Sequence, residues 1–224
     1  DANKLKPVNE LLIDTGYSKE ELEQIVQIGT PVGYRPVYTE LLNGRIAGKG
    51  FDDKACGACA VQGIANADRS ELAGDVYFVF TTREECGMVG GATGAYGTDP
   101  DYALVMDVTH AWIPEMNREK WGYCGSGVSL SVSAVTNRRL TKMSQKLCRD
   151  KEINYTVQAE PGNTGTDANK IGTARFGIPS VLASLPLKNM HSANEVLALE
   201  DCEALIRFVS EFIKSEEIAE VFAR

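Results

Sequence analysis

Two adjacent glutamates, Glu84 and Glu85, follow an apolar stretch of the chain and stand just before Gly87. The stretch, residues 76–82, is rich in β-branched and aromatic residues and predicts a buried strand. Open α/β sheets bind their ligands at the carboxyl ends of strands, so this strand would deliver both carboxylates to such an end. Neighbouring carboxylates there repel each other unless a cation neutralises them. The pair therefore indicates a candidate metal site.

Other side chains of the metal-ligand type stand at or after apolar runs, or in a glycine-flanked turn: Asp52, Asp53, Asp107 and His191. Carboxylate oxygen and imidazole nitrogen are the ligands expected of zinc, cobalt or manganese. Each feature also has an ordinary explanation, because paired surface acids are commonly solvated and Asp-Asp in a glycine-rich turn is often turn chemistry. An acid within an apolar strand, such as Asp107, is rarely buried without a partner. The shared positions favour the metal site.

The rest of the sequence predicts the elements that must hold these side chains in place. Apolar or alternating runs predict strands at residues 102–109, 125–132, 155–159 and 178–185, and helical patterns lie at 54–67, around 140–147 and from 201. A capping-box pattern at Ser18–Glu21 predicts a short helix to about Val26. The five glycines between residues 87 and 97 fit either a mobile loop or a small-residue helix close to the sheet. Strands alternating with helices predict a layered α/β fold.

Composition and charge limit the classes of partner. The 224 residues are 43% hydrophobic and 24% charged, as in ordinary globular proteins, and suffice for a sizeable core. The formal net charge of −8 argues against nucleic acid or an anionic membrane as a partner. No apolar run approaches the ~18 residues of a membrane span.

The cysteines include Cys56-Gly-Ala-Cys59, a spacing that occurs in redox and zinc motifs. No second cysteine pair or histidine pair at zinc spacing accompanies it. We therefore interpret these residues as part of a helix packed beneath Asp52 and Asp53, with redox chemistry as the alternative. Free cysteines in apolar contexts favour the cytoplasm as the compartment.

Five short motifs occur in an order that resembles the M42 metallo-aminopeptidases, the glutamyl and tetrahedral aminopeptidase group whose members are sometimes labelled endoglucanase M. They are Gly48–Lys54, Thr82–Gly87, Val105–Thr109, Gly165–Ala168 and Met190–Ser192. The resemblance runs from about residue 11 to the C-terminus and implies an α/β fold with the three-layer sheet of zinc exopeptidases. It also implies that residues 1–47 end an inserted β-rich dimerisation domain. Residues 48–224 would then form the catalytic domain, with the N-terminal part of that domain absent from this chain.

Two divalent metal ions, zinc or cobalt, are the cofactors that the resemblance implies. Asp52 resembles the carboxylate that bridges the two ions. Glu85, Asp107 and His191 resemble ligands that bind one ion each. Which ion each of them holds depends on geometry.

The same resemblance implies catalytic and substrate-binding roles. Glu84 resembles the general base that activates water, and Asp53 resembles the residue that orients the turn. Because successive strand residues point to opposite sides, we expect Glu85 to bind metal and Glu84 to face the substrate. Thr166 and Asp167 would contact substrate, although Asp167 at a helix start fits a capping role as well. The implied reaction removes N-terminal residues from peptides, in a homo-oligomer based on dimers, for example a dodecamer.

Two departures from the family pattern stand out. The family also uses a histidine in an upstream His-x-Asp motif, whereas the first histidine here is His110. Lys188 and Asn189 replace the Arg-Tyr pair that often precedes the Met-His of the family. The sequence thus resembles the C-terminal portion of a longer polypeptide, which truncation, proteolysis or residues left out of the numbering would explain. A naturally short, inactive homologue is the further alternative. We expect this chain alone to bind metal weakly and to be inactive.

Two other function classes remain open. A non-catalytic metal-binding homologue would keep part of the ligand set without activity. A glycosidase is the third class, since some relatives of the family carry glucanase labels. That chemistry needs two facing carboxyls ~5–5.5 or ~6.5–9.5 Å apart and no metal, so sensitivity to a chelator separates the two enzyme classes.

Overall fold

The computed structural model describes residues 6–223. These residues divide into two compact units, one that ends at Arg35 and one that begins at Pro36. In the first unit, α1 (Lys19–Leu22) begins at Ser18, whose hydroxyl accepts a hydrogen bond from the Glu21 amide while the Glu21 carboxylate accepts one from the Ser18 amide. The predicted capping box is therefore confirmed, but the helix ends earlier than the predicted Val26. The domain division between residues 47 and 48 stays a prediction.

The second unit alternates strands and helices along most of its length. Its strands are β1 (Thr39–Leu41), β2 (Arg45–Gly48), β3 (Ala103–His110), β4 (Val128–Ser133), β5 (Tyr155–Glu160), β6 (Ser180–Leu187) and β7 (Glu195–Ala198). Its helices are α2 (Phe51–Ala65), α3 (Val89–Thr98), α4 (Arg138–Asp150), α5 (Ala168–Ile171), α6 (Leu199–Ile213) and α7 (Glu216–Phe222). The predicted α/β fold is thus a mixed fold with two sheets. No helix among residues 6–223 is long and apolar enough to cross a membrane.

The larger sheet brings two of the candidate site segments to one edge. Its strand order is β3-β6-β4-β5, and β3 runs parallel to β6, with Asp107 opposite Ser184. Parallel neighbours end on the same side of a sheet, so the end of β3 and the loop after β6 lie together. The smaller sheet has the order β1-β2-β7, and its antiparallel pairing sets Gly48 opposite Glu195.

Helices cover the larger sheet on both faces. On one face, Ala183 and Leu185 of β6 belong to the main core, which includes residues of α2, α4 and α6. On the other face, Leu182 packs with Val105 of β3 and Ala168 of α5. Side chains alternate between the two faces of a strand, so β6 is buried along its whole length. The sheet therefore forms the middle of three layers.

Most of the predicted elements are confirmed, and one strand is wrong. The glycine-rich residues 87–97 include α3, which settles the choice between loop and helix. Residues 76–82 form no strand, and the side chains from Val76 to Phe80 are 37–69% exposed. Within the described part of the chain, no strand pairs with this segment. Without a paired neighbour, β-branched and aromatic residues do not make a stable strand.

Candidate metal centre

The acidic turn is built where β2 passes into α2. Gly50 takes a positive φ of 80°, which costs little only for glycine, and turns the chain into the helix. The next two residues are not yet helical: Asp52 has φ −79° and ψ 112°, and Asp53 has φ −114° and ψ 44°. The peptide bond between them is cis. Because neither residue has helical backbone angles, both carboxylates stand at the entrance of α2 rather than along its side.

His191 lies in the loop between β6 and β7. The loop is closed at its base by two backbone hydrogen bonds between Lys188 and Val196, at 2.9 and 3.1 Å. Within the loop, Asn189 and His191 adopt positive φ angles of 56° and 62°. Non-glycine residues seldom take this conformation, and Asn and His are among those that do so more readily. The tight loop carries the imidazole back towards the start of α2.

Glu84 and Glu85 lie in a turn instead of at the end of the strand that the sequence predicts. Arg83 has a φ of 60°, and the amides of Gly87 and Met88 donate to the Glu84 carbonyl at 3.1 and 2.9 Å. The turn leads directly into α3. The argument that strand alternation separates the two glutamates therefore fails, and the turn separates them instead.

Three of the candidate ligands meet. The Nε2 atom of His191 lies 3.0 Å from Oδ2 of Asp52 and 3.5 Å from Oε2 of Glu85. One ligand atom from each residue lies within 4.8 Å of the others. Two carboxylate oxygens and one imidazole nitrogen form a donor set that suits zinc and related divalent ions. The residues present thus fit a metal ion.

Asp107 is close to this group without joining the three. Its side chain is buried, and its Oδ1 accepts a hydrogen bond of 2.8 Å from the Val108 amide. Burial first, and then the charge of Asp53, raise the pKa of Asp107 to about 8, with smaller contributions from Glu84 and Asp52. The charges of the cluster therefore reach Asp107, in the place that the sequence predicts, near the end of β3.

The acids of the site raise one another's pKa. Burial raises the pKa of Asp52, as does the charge of Glu85, while His191 opposes the shift. Asp53 is partly exposed to solvent, but protein atoms surround its carboxylate. This desolvation, together with the charges of Asp52 and Glu84, raises the pKa of Asp53 to about 7. A hydrogen bond from Cys56 opposes the shift.

No lysine or arginine among residues 6–223 forms an ion pair with any of these acids. Such a concentration of negative charge calls for a bound cation.

Glu84 has one oxygen without a partner. Its Oε1 is buried and accepts no hydrogen bond from the described residues. Burial raises the pKa of Glu84, followed by the charges of Glu85, Asp167 and Asp52. A buried acceptor left unsatisfied is costly and is uncommon in native structures. Glu84 therefore presents a carboxylate that is free to accept a proton or to bind a group from outside the chain.

Asp167 also has a buried oxygen without a partner, and its side chain does not cap its helix. It stands at the N-cap position of α5 but makes no capping hydrogen bond, so the capping alternative is wrong. The hydroxyl of Thr166 accepts from the Ala168 amide at 3.2 Å and takes over that task. The Asp167 side chain is buried, its Oδ1 has no partner in the described chain, and a Cβ at Gly91 would lie 2.5 Å from that oxygen.

One residue of the site was not identified from the sequence. Glu195, the first residue of β7, is buried, and its carboxylate accepts hydrogen bonds from the backbone amides of Phe51, Asp52 and His191. Its one signal in the sequence is its place four residues after His191. Without the pairing of β2 with β7, nothing in the sequence relates it to the acidic turn.

The remaining histidine and the cysteine pair take other places. His110 lies outside the group of three, and its pKa is lowered by burial and by the charge of His191. Cys56 and Cys59 are free and buried in α2, and the Cys56 thiol donates to the Asp107 carbonyl at 3.1 Å. Burial raises the pKa of the Cys56 thiol, which disfavours the thiolate that redox chemistry needs. The packing interpretation therefore suits Cys56 better than the redox alternative.

Comparisons with known proteins point to one family. The sequence model of the M42 glutamyl aminopeptidases matches residues 1–208. A lysyl aminopeptidase of Pyrococcus furiosus is 28% identical over 206 residues, which are 91% of this chain and 59% of that protein. The chain thus spans about three fifths of the length of this curated relative.

Solved structures give the same picture of the fold. An aminopeptidase from the archaeon Desulfurococcus kamchatkensis is 29% identical with a TM-score of 0.88, over 100% of this chain and 65% of that one. The TET1 peptidase of Pyrococcus horikoshii is 25% identical with a TM-score of 0.73, over 88% and 58% of the two chains, and it is described as assembling into a tetrahedron or a large octahedral shell.

Proposed function

Since the chain belongs to the M42 glutamyl aminopeptidase family, we propose that it takes part in the metal-dependent removal of N-terminal residues from peptides. The observation that carries this proposal is the meeting of Asp52, Glu85 and His191 at one edge of the fold. Family membership favours peptide hydrolysis, and the geometry provides a centre where a divalent ion would bind.

The proposed ligand set follows the charges and distances of the cluster. Asp52 would bridge two ions, with Glu85, His191 and Asp107 as further ligands. Asp107 is buried and lies within the field of Asp53, Glu84 and Asp52. Divalent ions such as zinc or cobalt, when bound, would polarise the scissile carbonyl and lower the pKa of water. Asp53 would hold the turn in which Asp52 stands.

Glu84 is the proposed general base. Its buried, unpaired Oε1 has no competing donor within the described residues. Burial and neighbouring acids raise its pKa, which brings a carboxylate closer to the range in which it both takes and returns a proton near neutral pH. Glu84 would take a proton from the attacking water and then pass it to the leaving amine.

Asp167 and Thr166 are the proposed substrate-binding residues. A free peptide N-terminus carries an ammonium group, and the unpaired Oδ1 of Asp167 is an acceptor for such a donor. The effect of Asp167 on the pKa of Glu84 indicates that the two carboxylates are near each other. An ammonium held beside Glu84 would place the first peptide bond of the substrate at the base, which would explain cleavage from the end of a chain.

The two alternative functions, a glycosidase and an inactive metal-binding homologue, are not equally supported. A glycosidase is not favoured, because the matching family and the relatives described above are aminopeptidases or peptidases. A metal-binding homologue without activity is the second candidate, since His191 supplies the one nitrogen of the cluster in the described part of the chain. We also propose a homo-oligomeric assembly, supported by the shells described for the P. horikoshii relative, and a cytoplasmic location, supported by the free cysteines.

The test is a hydrolysis assay that separates these classes. The complete protein is purified and incubated with amino-acyl anilides, with the same anilides acetylated at the α-amine, and with a soluble glucan. Each assay is run with added zinc or cobalt and after treatment with a chelator. We expect cleavage of the free-amine anilides alone and its loss on chelation. Cleavage of the glucan, or peptidase activity that survives complete removal of metal, would reject the proposal.

A further inference from the structure

A single buried carboxylate connects the two segments that carry Asp52 and His191. Glu195 is 2% exposed and starts β7, directly opposite Gly48 at the end of β2. Gly48 leads into the acidic turn, and the loop that carries His191 leads into Glu195. The side chain of Glu195 therefore lies between the two segments.

Both oxygens of this carboxylate are used, and each holds a different segment. Oε2 accepts hydrogen bonds from the amides of Phe51 at 2.7 Å and Asp52 at 3.3 Å. Oε1 accepts one from the amide of His191 at 3.1 Å. Hydrogen bonds to an ionised acceptor are among the stronger ones in proteins. One rigid group thus sets the spacing between the backbone of the turn and the backbone of the loop.

We infer that Glu195 is a positioning residue that fixes the spacing of Asp52 and His191 before a metal ion binds. The inference rests on the proposed role of these two residues as metal ligands. Without the bond to Oε1, the His191 loop, with its two positive φ angles, would lose the hydrogen bond through which Glu195 ties its backbone to the turn. Outer partners of this kind typically contribute 10–100-fold to metal affinity.

Burial of the Glu195 carboxylate near other acids is unfavourable, which indicates that its hydrogen bonds have a structural role. Glu195 adds to the negative charge around Asp52 and contributes to raising its pKa. No cationic side chain in the described chain forms an ion pair with it. Burying a carboxylate next to other acids without a cation is unfavourable. The hydrogen bonds from three backbone amides offset this cost for Glu195.

The fold offers a matched control. Asp201 is also fully buried, and its two oxygens accept hydrogen bonds from the amides of Gly125 and Gly127 at 2.7 and 2.6 Å. Asp201→Asn and Glu195→Gln each remove one buried negative charge. In each variant an amide nitrogen replaces one of the two acceptor oxygens. The Asp201 contacts lie outside the acidic turn and the His191 loop. A loss of metal affinity that follows only from Glu195→Gln therefore reports on positioning and not on general stability.

The first experiment measures zinc or cobalt affinity by titration calorimetry, with thermal unfolding of the metal-free proteins in parallel. We expect Glu195→Gln to lower the affinity about 10–100-fold and Asp201→Asn to leave it unchanged, at comparable losses of thermal stability. Equal affinity in Glu195→Gln and the wild type, or equal losses in both variants, would overturn the inference. If the wild type binds no divalent ion at all, the proposed metal-dependent function fails instead.

A second measurement uses the unaltered, metal-free protein and covers the case in which Glu195→Gln does not fold. Amide hydrogen exchange is followed at Phe51, Asp52 and His191. If one carboxylate holds all three amides, they exchange slowly and with a common protection factor, which is the exchange rate corrected for the intrinsic rate of each amide. Fast exchange at His191 alone would show that the loop moves independently of the turn and would overturn the inference without reference to metal.

Discussion

Nε2 of His191 lies 3.0 Å from Oδ2 of Asp52. The two residues are distant in the sequence and come from different connections, one between β2 and α2 and the other between β6 and β7. The contact exists because β2 pairs with β7 and because Glu195, at the start of β7, accepts hydrogen bonds from both segments. The candidate metal centre is thus a consequence of strand pairing in the smaller sheet.

In the complete protein, replacing Glu84 by glutamine should abolish most hydrolysis and leave metal binding intact. The amide keeps the shape of the side chain but takes no proton from water, and a positioned general base typically contributes ~10²–10⁴-fold to the rate. The measurement is turnover of an amino-acyl anilide with metal content determined in the same sample. Glu220→Gln, at an exposed position on α7, is the control. Turnover equal to that of the control would remove Glu84 from the mechanism.

In the complete protein, Asp167→Asn should weaken substrate binding. The unpaired Oδ1 of Asp167 is the proposed acceptor for the substrate ammonium, and the neutral amide is a weaker partner for a cation. We expect a higher KM for free-amine anilides, with unfolding no earlier than in the wild type because a buried charge has been removed. An unchanged KM with a lower kcat would instead assign Asp167 to the chemical step.

Metal titration of the 224-residue chain should resolve ions of unequal affinity. Among the described residues, the cluster contains one imidazole, that of His191, and otherwise carboxylates. The first ion can use the nitrogen ligand, whereas a second would rely on carboxylates and water and should bind more weakly. Calorimetry with zinc or cobalt measures both steps. Two ions held with equal, high affinity would show that another group, such as His110, completes the second site.

Gly63→Ala should destabilise the packing of α2 against α6. A Cβ at Gly63 would lie 2.7 Å from Cβ of Val209 and 2.8 Å from the carbonyl oxygen of Ile206, which forces the helices apart. Overpacking of this kind costs about 1–3 kcal/mol in the free energy of unfolding. Urea denaturation measures the change, and Gly74→Ala is the control because a Cβ there meets nothing within 4 Å. Equal stability of the two variants would contradict the close packing at Gly63.

The stability contributed by Asp201 should depend on pH. Burial raises the pKa of Asp201 from 3.8 to about 6, so between these values the folded chain holds this proton more tightly than the unfolded chain. Stability from this group therefore falls as the pH rises from about 4 to 6 and is level above that range. Relative to Asp201→Asn, the wild type should gain about 2 kcal/mol between pH 7.5 and 4.5. A difference that does not change with pH would show that Asp201 has an ordinary pKa.

Local sequence patterns predicted the elements whose stability is mostly local or that lie wholly inside the core. The apolar runs of β3 and β6 and the helical spacing of α4 are confirmed. A continuous apolar run is typical of a strand that is largely buried on both faces, as in β3 and β6. Apolar residues at helical spacing are typical of a helix that buries one side, as in α4. The segment 76–82 has the same composition as a central strand but is exposed here. Composition alone does not supply the neighbour that a strand must pair with.

The sequence by itself also identified the residue types of the centre, because Asp52, Glu85 and His191 occur in short ordered motifs. Only the tertiary structure decided how they meet. The pairing of β2 with β7 and the parallel alignment of β3 with β6 bring the segments to one place. Glu195 shows the limit most clearly: its chemistry is ordinary, and its role arises from hydrogen bonds to backbone amides that are far apart in the chain. Backbone donors are the same at every residue, so no local pattern marks which of them a distant carboxylate will bind.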